Sequence, residues 1–240
     1  MSGHSKWSQI KRSKGLKDQK KGQTFTKLAN AITIAVKQGG AVADPEQNFR
    51  LRLAIDAART ANMPKENIDR AIKRAIEKDA GQLQEVTYEG FAPDGISIIV
   101  EAATNNPART TAEIKSIFNK NNASFGQPGS VSYQFRQIGR IVVSKTNHVF
   151  DEIFNIALEQ GAEDIDEEGD EVLIYTKFQD LSGIKQKLDE AGLMVIEADV
   201  FREPQIKMEV NDPILLSKIE NFVELLEGQD DVLRVYTNLA

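Results

Sequence analysis

Residues 140–176 read RIVVSKTNHVFDEIFNIALEQGAEDIDEEGDEVLIYT, and the fold turns on this stretch. Arg140–Ser144 is a short β-branched run. Beyond a polar turn, Phe150–Gln160 carries Ile153, Ile156 and Ala157 at helical spacing. A weak strand is expected near Ala162–Ile165 and a stronger one at Glu171–Thr176, with an acidic turn between them. Further on, Leu181, Ile184 and Leu188 mark a helix over Asp180–Ala191, and Met194–Phe201 closes as a strand. Over residues 139–201 the order is βαββαβ, the split βαβ or ferredoxin-like unit.

Working outward, Glu85–Phe91 and Ile96–Thr104 read as two strands joined by the Pro93-Asp94-Gly95 turn. Thr110 and Glu113 have the spacing of a capping box for a helix containing Ile114, Ile117 and Phe118. Val131–Phe135 reads as a further strand after the Gly126–Gly129 loop. The tail supplies a strand (Gln205–Val210), a helix (Ile214–Leu226) and a strand (Val232–Thr237) whose natural partner is the 85–135 segment. The middle domain is therefore expected to be discontinuous, residues 81–137 plus 203–240, with the ferredoxin-like unit of residues 138–202 inserted in it.

Three amphipathic patterns precede these. Phe25, Leu28, Ala29, Ile32 and Val36 share one helical face, which Gly39-Gly40 ends. Asp44-Pro45, with Gln47, is expected to cap a second helix faced by Leu53, Ala54, Ala57, Ala58 and Ala61. Met63-Pro64 opens a third, with Ile68, Ala71, Ile72 and Ala75 on one side and Arg70, Arg74 and Lys78 as a basic stripe on the other. Residues 24–80 thus make a three-helix bundle. The fold class expected is α+β and multidomain.

Charge divides the chain. Of its 240 residues, the first 79 hold 17 Lys/Arg against 8 Asp/Glu, a net of +9, and the remainder holds 13 against 28, a net of −15. Residues 1–23 read as a basic mobile tail with too few apolar side chains to fold alone. Lys6, Lys11, Arg12, Lys14, Lys17, Lys20 and Lys21 are offset there only by Asp18. That density points to a polyanion. Trp7 adds a ring able to stack on an unpaired base, worth about 1–3 kcal/mol. Lys27, Arg70 and Arg74 are expected to extend the same nucleic-acid-binding surface, along with Arg50, Arg52 and Arg59. About six phosphate contacts would give a log–log salt slope of roughly −4 to −5. An acidic body cannot lie along phosphates, so it should face away or meet basic protein; a ribosome offers both surfaces.

Other chemistry is poorly provided for. The chain has no cysteine and two histidines in unlike places. It has no phosphate-binding loop, no dinucleotide fingerprint and no nucleophile elbow, so neither an enzyme nor a cofactor is expected. Gly126–Ser130 could cradle an anion through backbone N–H groups, but it leads into a strand, and turn chemistry is the better reading. An EF-hand alignment from Asp164 puts Gly169 at the sixth place but Tyr175 where a bidentate glutamate belongs; a solvated hairpin is preferred. Residues 6–21 lack the apolar face a membrane would need. Without a secretory apolar segment at its start, the protein is expected in the cytoplasm.

Several words of the sequence are similar to the YebC family: Gly3-His4-Ser5-Lys6-Trp7, Ile10-Lys11, Phe25-Thr26-Lys27-Leu28, Arg50–Asp56, Ala61-Asn62-Met63-Pro64-Lys65, Tyr88-Glu89-Gly90 and Gly129-Ser130-Val131. The resemblance implies a helical bundle, an α+β domain and an inserted ferredoxin-like domain. It also implies one of two activities. Members have been described as probable cytoplasmic transcriptional regulators that bind DNA. The family also includes a mitochondrial translational activator of cytochrome c oxidase, and bacterial members are viewed as ribosome-associated factors that help proline runs through translation. Of these, a translation factor gripping ribosomal RNA is favoured, because no helix-turn-helix with a polar recognition face is evident for reading bases. The link from Ala75 to Val86 is shorter than the family's usual one, and Gln127-Pro128 and Gln134 replace small and apolar residues.

Overall fold

The computed structural model describes residues 21–76 and 83–240. Helices α1 (Lys21–Gln38), α2 (Phe49–Thr60) and α3 (Lys65–Ile76) come first. Ile32, Ala35 and Val36 of α1 close over Leu51, Ile55 and Ala58 of α2 and Ile68, Ala71 and Ala75 of α3. Gly39 lets the chain turn tightly: a Cβ there would lie 2.1 Å from Asn48 Nδ2.

That asparagine, and not Asp44, caps α2. Its Oδ1 accepts from Leu51 N at 3.1 Å, and its Nδ2 donates to the carbonyls of Ala35 and Val42. Asp44 instead forms a turn one step earlier, accepting from Glu46 N at 2.9 Å. Both residues suit the role chemically, and the additional bonds to Ala35 in α1's last turn and to Val42 in the loop after it place the cap at Asn48.

Strands β1 (Gln84–Phe91) and β2 (Ser97–Thr104) form the expected hairpin, followed by α4 (Pro107–Lys120) and the two-residue β3 (Ser124–Phe125). The cap of α4 is Asn106, accepting from Arg109 N at 3.1 Å, with Pro107 at the first helical position. Thr110 lies inside the helix, where its hydroxyl binds Thr104 Oγ1 at 2.8 Å and Asp231 at 2.6 Å. Residues 131–134 are not a strand: Ser132–Gln134 form a 3-10 turn, and β4 runs from Phe135 to Ser144.

Then come α5 (Phe150–Glu159), β5 (Asp164–Glu168), β6 (Glu171–Lys177), α6 (Leu181–Glu190) and β7 (Val195–Pro204). The weak strand therefore sits two residues later than its apolar content suggests, and it is almost wholly acidic. Gln205–Val210 is no strand either, making one isolated bridge, Met208 to Leu239. Helix α7 (Pro213–Glu227) and strand β8 (Val232–Thr237) end the chain.

Two four-stranded antiparallel sheets result. Sheet A has the order β3-β1-β2-β8 and sheet B the order β5-β6-β4-β7. The second is the order that a split βαβ repeat produces. It extends from Phe135 to Pro204, which are register partners, and so overruns residues 138–202 at both ends. Sheet A takes its edge strand from beyond sheet B, since Ile99 pairs Tyr236 and Val100 pairs Val235. One face of sheet A buries Ile98, Val100 and Val235 against α4 and α7. Phe118 and Phe222 meet there edge-on at 5.0 Å, a geometry worth about 0.5–1.5 kcal/mol beyond burial. One face of sheet B buries Ile141, Val143, Val172 and Ile174 against α5 and α6.

Candidate nucleic-acid interface

The cations expected to bind nucleic acid fall into three groups. Lys6, Trp7, Lys11, Arg12, Lys14, Lys17 and Lys20 lie outside the described residues, as does Lys78. Lys21 is the first residue of α1, whose first turn contains no acidic residue. A helix start is the positive end of its dipole and adds to the cations preceding it.

Arg70 and Arg74 project from α3. The turns holding Ile68, Ala71 and Ala75 inward leave Arg70, Lys73 and Arg74 exposed on the opposite side. Neither arginine has a carboxylate within ion-pairing distance among the described residues. Arg74 also bears on Lys37 at the end of α1: burial first, and then the Arg74 charge, lower the pKa of that lysine, whose Nζ donates to Leu83 O at 2.8 Å. The ridge thus continues across two helices.

Lys27 is placed otherwise. Its ammonium donates to the carbonyl of Glu227, at the negative end of α7. The remaining bundle arginines are also engaged. Arg52 donates to Pro45 O and Glu46 O, Arg59 is 3.6 Å from Asp56, and Arg50 donates to Gln38 and lies over the Phe178 ring at 5.7 Å. Among the described residues these cations therefore have partners within the fold, whereas Arg70 and Arg74 have no carboxylate partner.

The loop 126–132 does cradle an anion, and the anion is internal. Glu89 accepts from Gly129 N at 2.8 Å, Val131 N at 2.7 Å and Ser132 N at 2.9 Å. Burial pushes that carboxyl up, but the three N–H groups outweigh it and hold the pKa below the ordinary value. The neighbouring Gly90 admits no side chain, a Cβ there lying 2.4 Å from Ser124 O.

A second polar site joins the bundle to both sheets, and nothing local in the sequence marks it. A cavity of about 430 Å³ is bounded by α1, α2, β7 and the face of sheet A opposite α4. Arg140 grips Asp199 through two contacts of 3.1 Å and reaches Glu197 at 3.4 Å, with Phe201 beneath it at 5.0 Å. Arg234 reaches the same Asp199 from sheet A and donates to Val200 O at 3.0 Å. Arg202 meets Glu101 at 2.6 Å, and Tyr236 donates to Glu101 at 3.3 Å. Burial opposes ionisation of Asp199, yet the two guanidiniums hold its carboxyl below the usual range. Positive and negative groups pair off here with no nucleophile beside a base. His148 sits at the surface, 3.4 Å from Glu152, and no metal-holding cluster occurs among the described residues. No described helix is long and apolar enough to cross a membrane.

The family model for the TACO1/YebC second and third domain matches residues 83–239, and that for the TACO1/YebC N-terminal domain matches residues 5–78. The chain belongs to the TACO1/YebC family. The resemblance carried by its sequence motifs is thereby borne out. A probable transcriptional regulatory protein of Roseiflexus castenholzii is 46% identical, the match covering 100% of this chain and 95% of that one. Another, from Syntrophomonas wolfei, is 42% identical over 100% and 96%. Among solved structures, a conserved hypothetical protein of Aquifex aeolicus superposes with a TM-score of 0.86 at 37% identity, covering 93% of this chain and 91% of that one. The TACO1/YebC match spans both sheets and the bundle, so the ridge on α3 lies within the family's shared N-terminal domain.

Proposed function

We propose that this protein is a non-enzymatic, nucleic-acid-binding regulator of gene expression, acting in the cytoplasm as a ribosome-associated translation factor. Its basic N-terminal segment, from Lys6 to Lys21 with Trp7 stacking, grips ribosomal RNA together with Arg70 and Arg74. Lys27 anchors the bundle to α7 behind them.

One observation carries this reading. All five arginines after residue 83 hold carboxylates, namely Arg109, Arg136, Arg140, Arg202 and Arg234. Arg70 and Arg74, exposed one helical turn apart, hold none among the described residues. Guanidiniums set out in that way suit phosphate, which they bind bidentately. The names of the relatives support regulation of gene expression in general. In the same reading the chain divides into a bundle, a discontinuous α+β domain built on sheet A, and an inserted ferredoxin-like domain built on sheet B, the acidic pair facing away from phosphate.

A second reading, a DNA-binding transcriptional regulator, draws on the connection between α2 and α3. Only residues 61–64 join the two helices, the length of a helix-turn-helix turn, and α3 presents Arg70 and Arg74 outward.

Ultraviolet crosslinking in living cells, followed by sequencing of the recovered nucleic acid, separates the two. Reads concentrated on ribosomal RNA uphold the translation factor. Reads on discrete promoter DNA replace it with the second reading, and background alone removes both.

A further inference from the structure

One part of the acidic body carries no acid. Residues 114–150 contain neither Asp nor Glu, although residues 80–240 hold 28 in 161 positions, an average that would place about six in that span. Burial does not account for the gap, since Lys115, Asn119, Lys120, Gln127, Tyr133 and Arg136 are all exposed. Lys115 lies over the Phe125 ring at 5.1 Å, and Lys120 closes the last turn of α4. Neither lysine has a carboxylate within ion-pairing distance among the described residues. Arg136 is taken by Glu203, and Glu89 is turned inward on its three N–H groups.

Tyr133 stands in the middle of this stretch and is 70% exposed, the one aromatic ring so open among the described residues. Its mount is fixed. Gln134 N donates to Val131 O at 2.9 Å, Gln205 N donates to Gln134 O at 2.8 Å, and Ser97 Oγ donates to Gln134 Oε1 at 2.9 Å. Val131 and Ser132, just before the ring, are the residues whose N–H groups Glu89 holds. A ring presented to solvent on a rigid turn loses little freedom when something stacks on it.

We propose that this end of sheet A is a second contact for single-stranded nucleic acid, in which Tyr133 stacks on an unpaired base while Lys115 and Lys120 meet phosphates. The inference rests on the nucleic-acid reading above and extends it to the body. Unpaired bases are commonly held on aromatic rings, and the missing carboxylates remove the repulsion that the rest of the body would exert on a phosphate chain. A protein partner fits less well. Ile206, next to the residue bonded to Gln134, is the other large apolar side chain exposed here, and two side chains fall far short of the roughly 800 Å² that each side of a stable protein interface buries. One base needs one ring.

The contact is separate from the ridge on α3. The bundle meets the start of β1, where Lys37 donates to Leu83 O, whereas the turn of Tyr133 hangs on Glu89, about 20 Å along the strand. Sites so far apart act independently, so losses at the two should multiply.

The test measures binding of the full chain to a single-stranded RNA of about 20 nucleotides, longer than the roughly 4–16 that one OB fold covers, and to the duplex of the same sequence, at about 0.05 and 0.2 M salt. Tyr133→Ala should weaken the single strand about tenfold, the scale of one stacked base. The factor should be equal at both salts, because no phosphate contact is lost, and absent for the duplex, whose bases are already stacked. Tyr133→Phe should restore wild-type affinity. Lys115→Gln with Lys120→Gln should instead make the log–log salt slope shallower by about 1.4, at about 0.7 per phosphate on a single strand. Melting temperatures equal to wild type confirm that each variant folds.

A loss that phenylalanine does not restore, or that the duplex shares, overturns the stacking role. Unchanged RNA affinity with lost ribosome co-sedimentation in Tyr133→Ala overturns it in favour of a protein partner. If both the tyrosine and the lysine variants bind as wild type while Arg70→Glu with Arg74→Glu weakens binding, the second contact falls and the earlier reading stands. If wild type binds neither probe at low salt, that reading falls, and this inference with it.

Discussion

Arg140 and Asp199 are register partners across β4 and β7, and they meet through two parallel contacts of 3.1 Å with both side chains almost wholly buried. Because Arg234 of β8 shares that carboxylate, the pair also ties sheet B to sheet A. Removing the carboxylate would leave the buried Arg140 guanidinium with only Glu197, at 3.4 Å, and Arg234 with only the Val200 carbonyl. Asp199→Asn is therefore expected to cost about 3–5 kcal/mol, the usual penalty for breaking one side of a buried pair. Urea denaturation would measure it. A loss under about 1 kcal/mol, the scale of exposed pairs, would mean that the network is solvated and not structural.

Glu89→Gln tests the internal anion. The amide keeps the shape but replaces one acceptor oxygen with a donor facing backbone N–H groups, so a loss of about 1–3 kcal/mol is expected. The pH dependence has a definite sign. The folded pKa lies below the ordinary carboxylate value, so the contribution is complete above about pH 4.3 and disappears as pH falls through the folded value. Wild type and Glu89→Gln should accordingly converge in stability on acidification; a gap that widens toward low pH would contradict this account.

Two glycines should respond oppositely to alanine. At Gly90 a Cβ would meet Ser124 O at 2.4 Å and Phe118 Cε1 at 2.5 Å, so Gly90→Ala should destabilise by about 1–3 kcal/mol. At Gly183, inside α6, a Cβ meets nothing within 4 Å, and Gly183→Ala should stabilise by up to about 1 kcal/mol. Thermal melts of both read the difference directly.

Arg70→Glu with Arg74→Glu should weaken binding to any RNA or duplex and make the salt slope shallower by about one for each phosphate no longer neutralised, with the melting temperature unchanged within error. Filter binding from about 0.05 to 0.2 M salt covers the steep range. Unaltered affinity would exclude α3 from the interface and leave the N-terminal segment alone in that role.

Much of the architecture is readable in the sequence because its signals are local. Ile153, Ile156 and Ala157, or Leu181, Ile184 and Leu188, declare a helix face within three turns, and Pro93-Asp94-Gly95 declares its hairpin. The sequence misleads where two neighbours could serve the same purpose. Asp44 and Asn48 both suit a cap, and only contact with α1 decides between them. Thr110 has a capping partner at the right spacing, but Thr104 and Asp231 take its hydroxyl, the latter far away in sequence. The Arg140–Asp199–Arg234 network leaves no local trace, since its members stand 59 and 35 positions apart. The basic surface is legible as composition; that Lys27 and Arg52 are occupied within the fold is not.

Sheet A has a consequence for synthesis. Ser97, at the start of β2, waits for Asn238, 141 positions later, before its backbone N–H is satisfied. At elongation rates of about 5–20 residues per second, that leaves one side of β2 without its partner strand for on the order of ten seconds while α4, sheet B and α7 are made. A nascent chain carrying Ser97–Thr104 in that state is exposed to pairing with other chains. A premature stop before residue 232 would remove β8 and make that exposure permanent, so a truncated message costs the solubility of a strand encoded some 130 positions upstream.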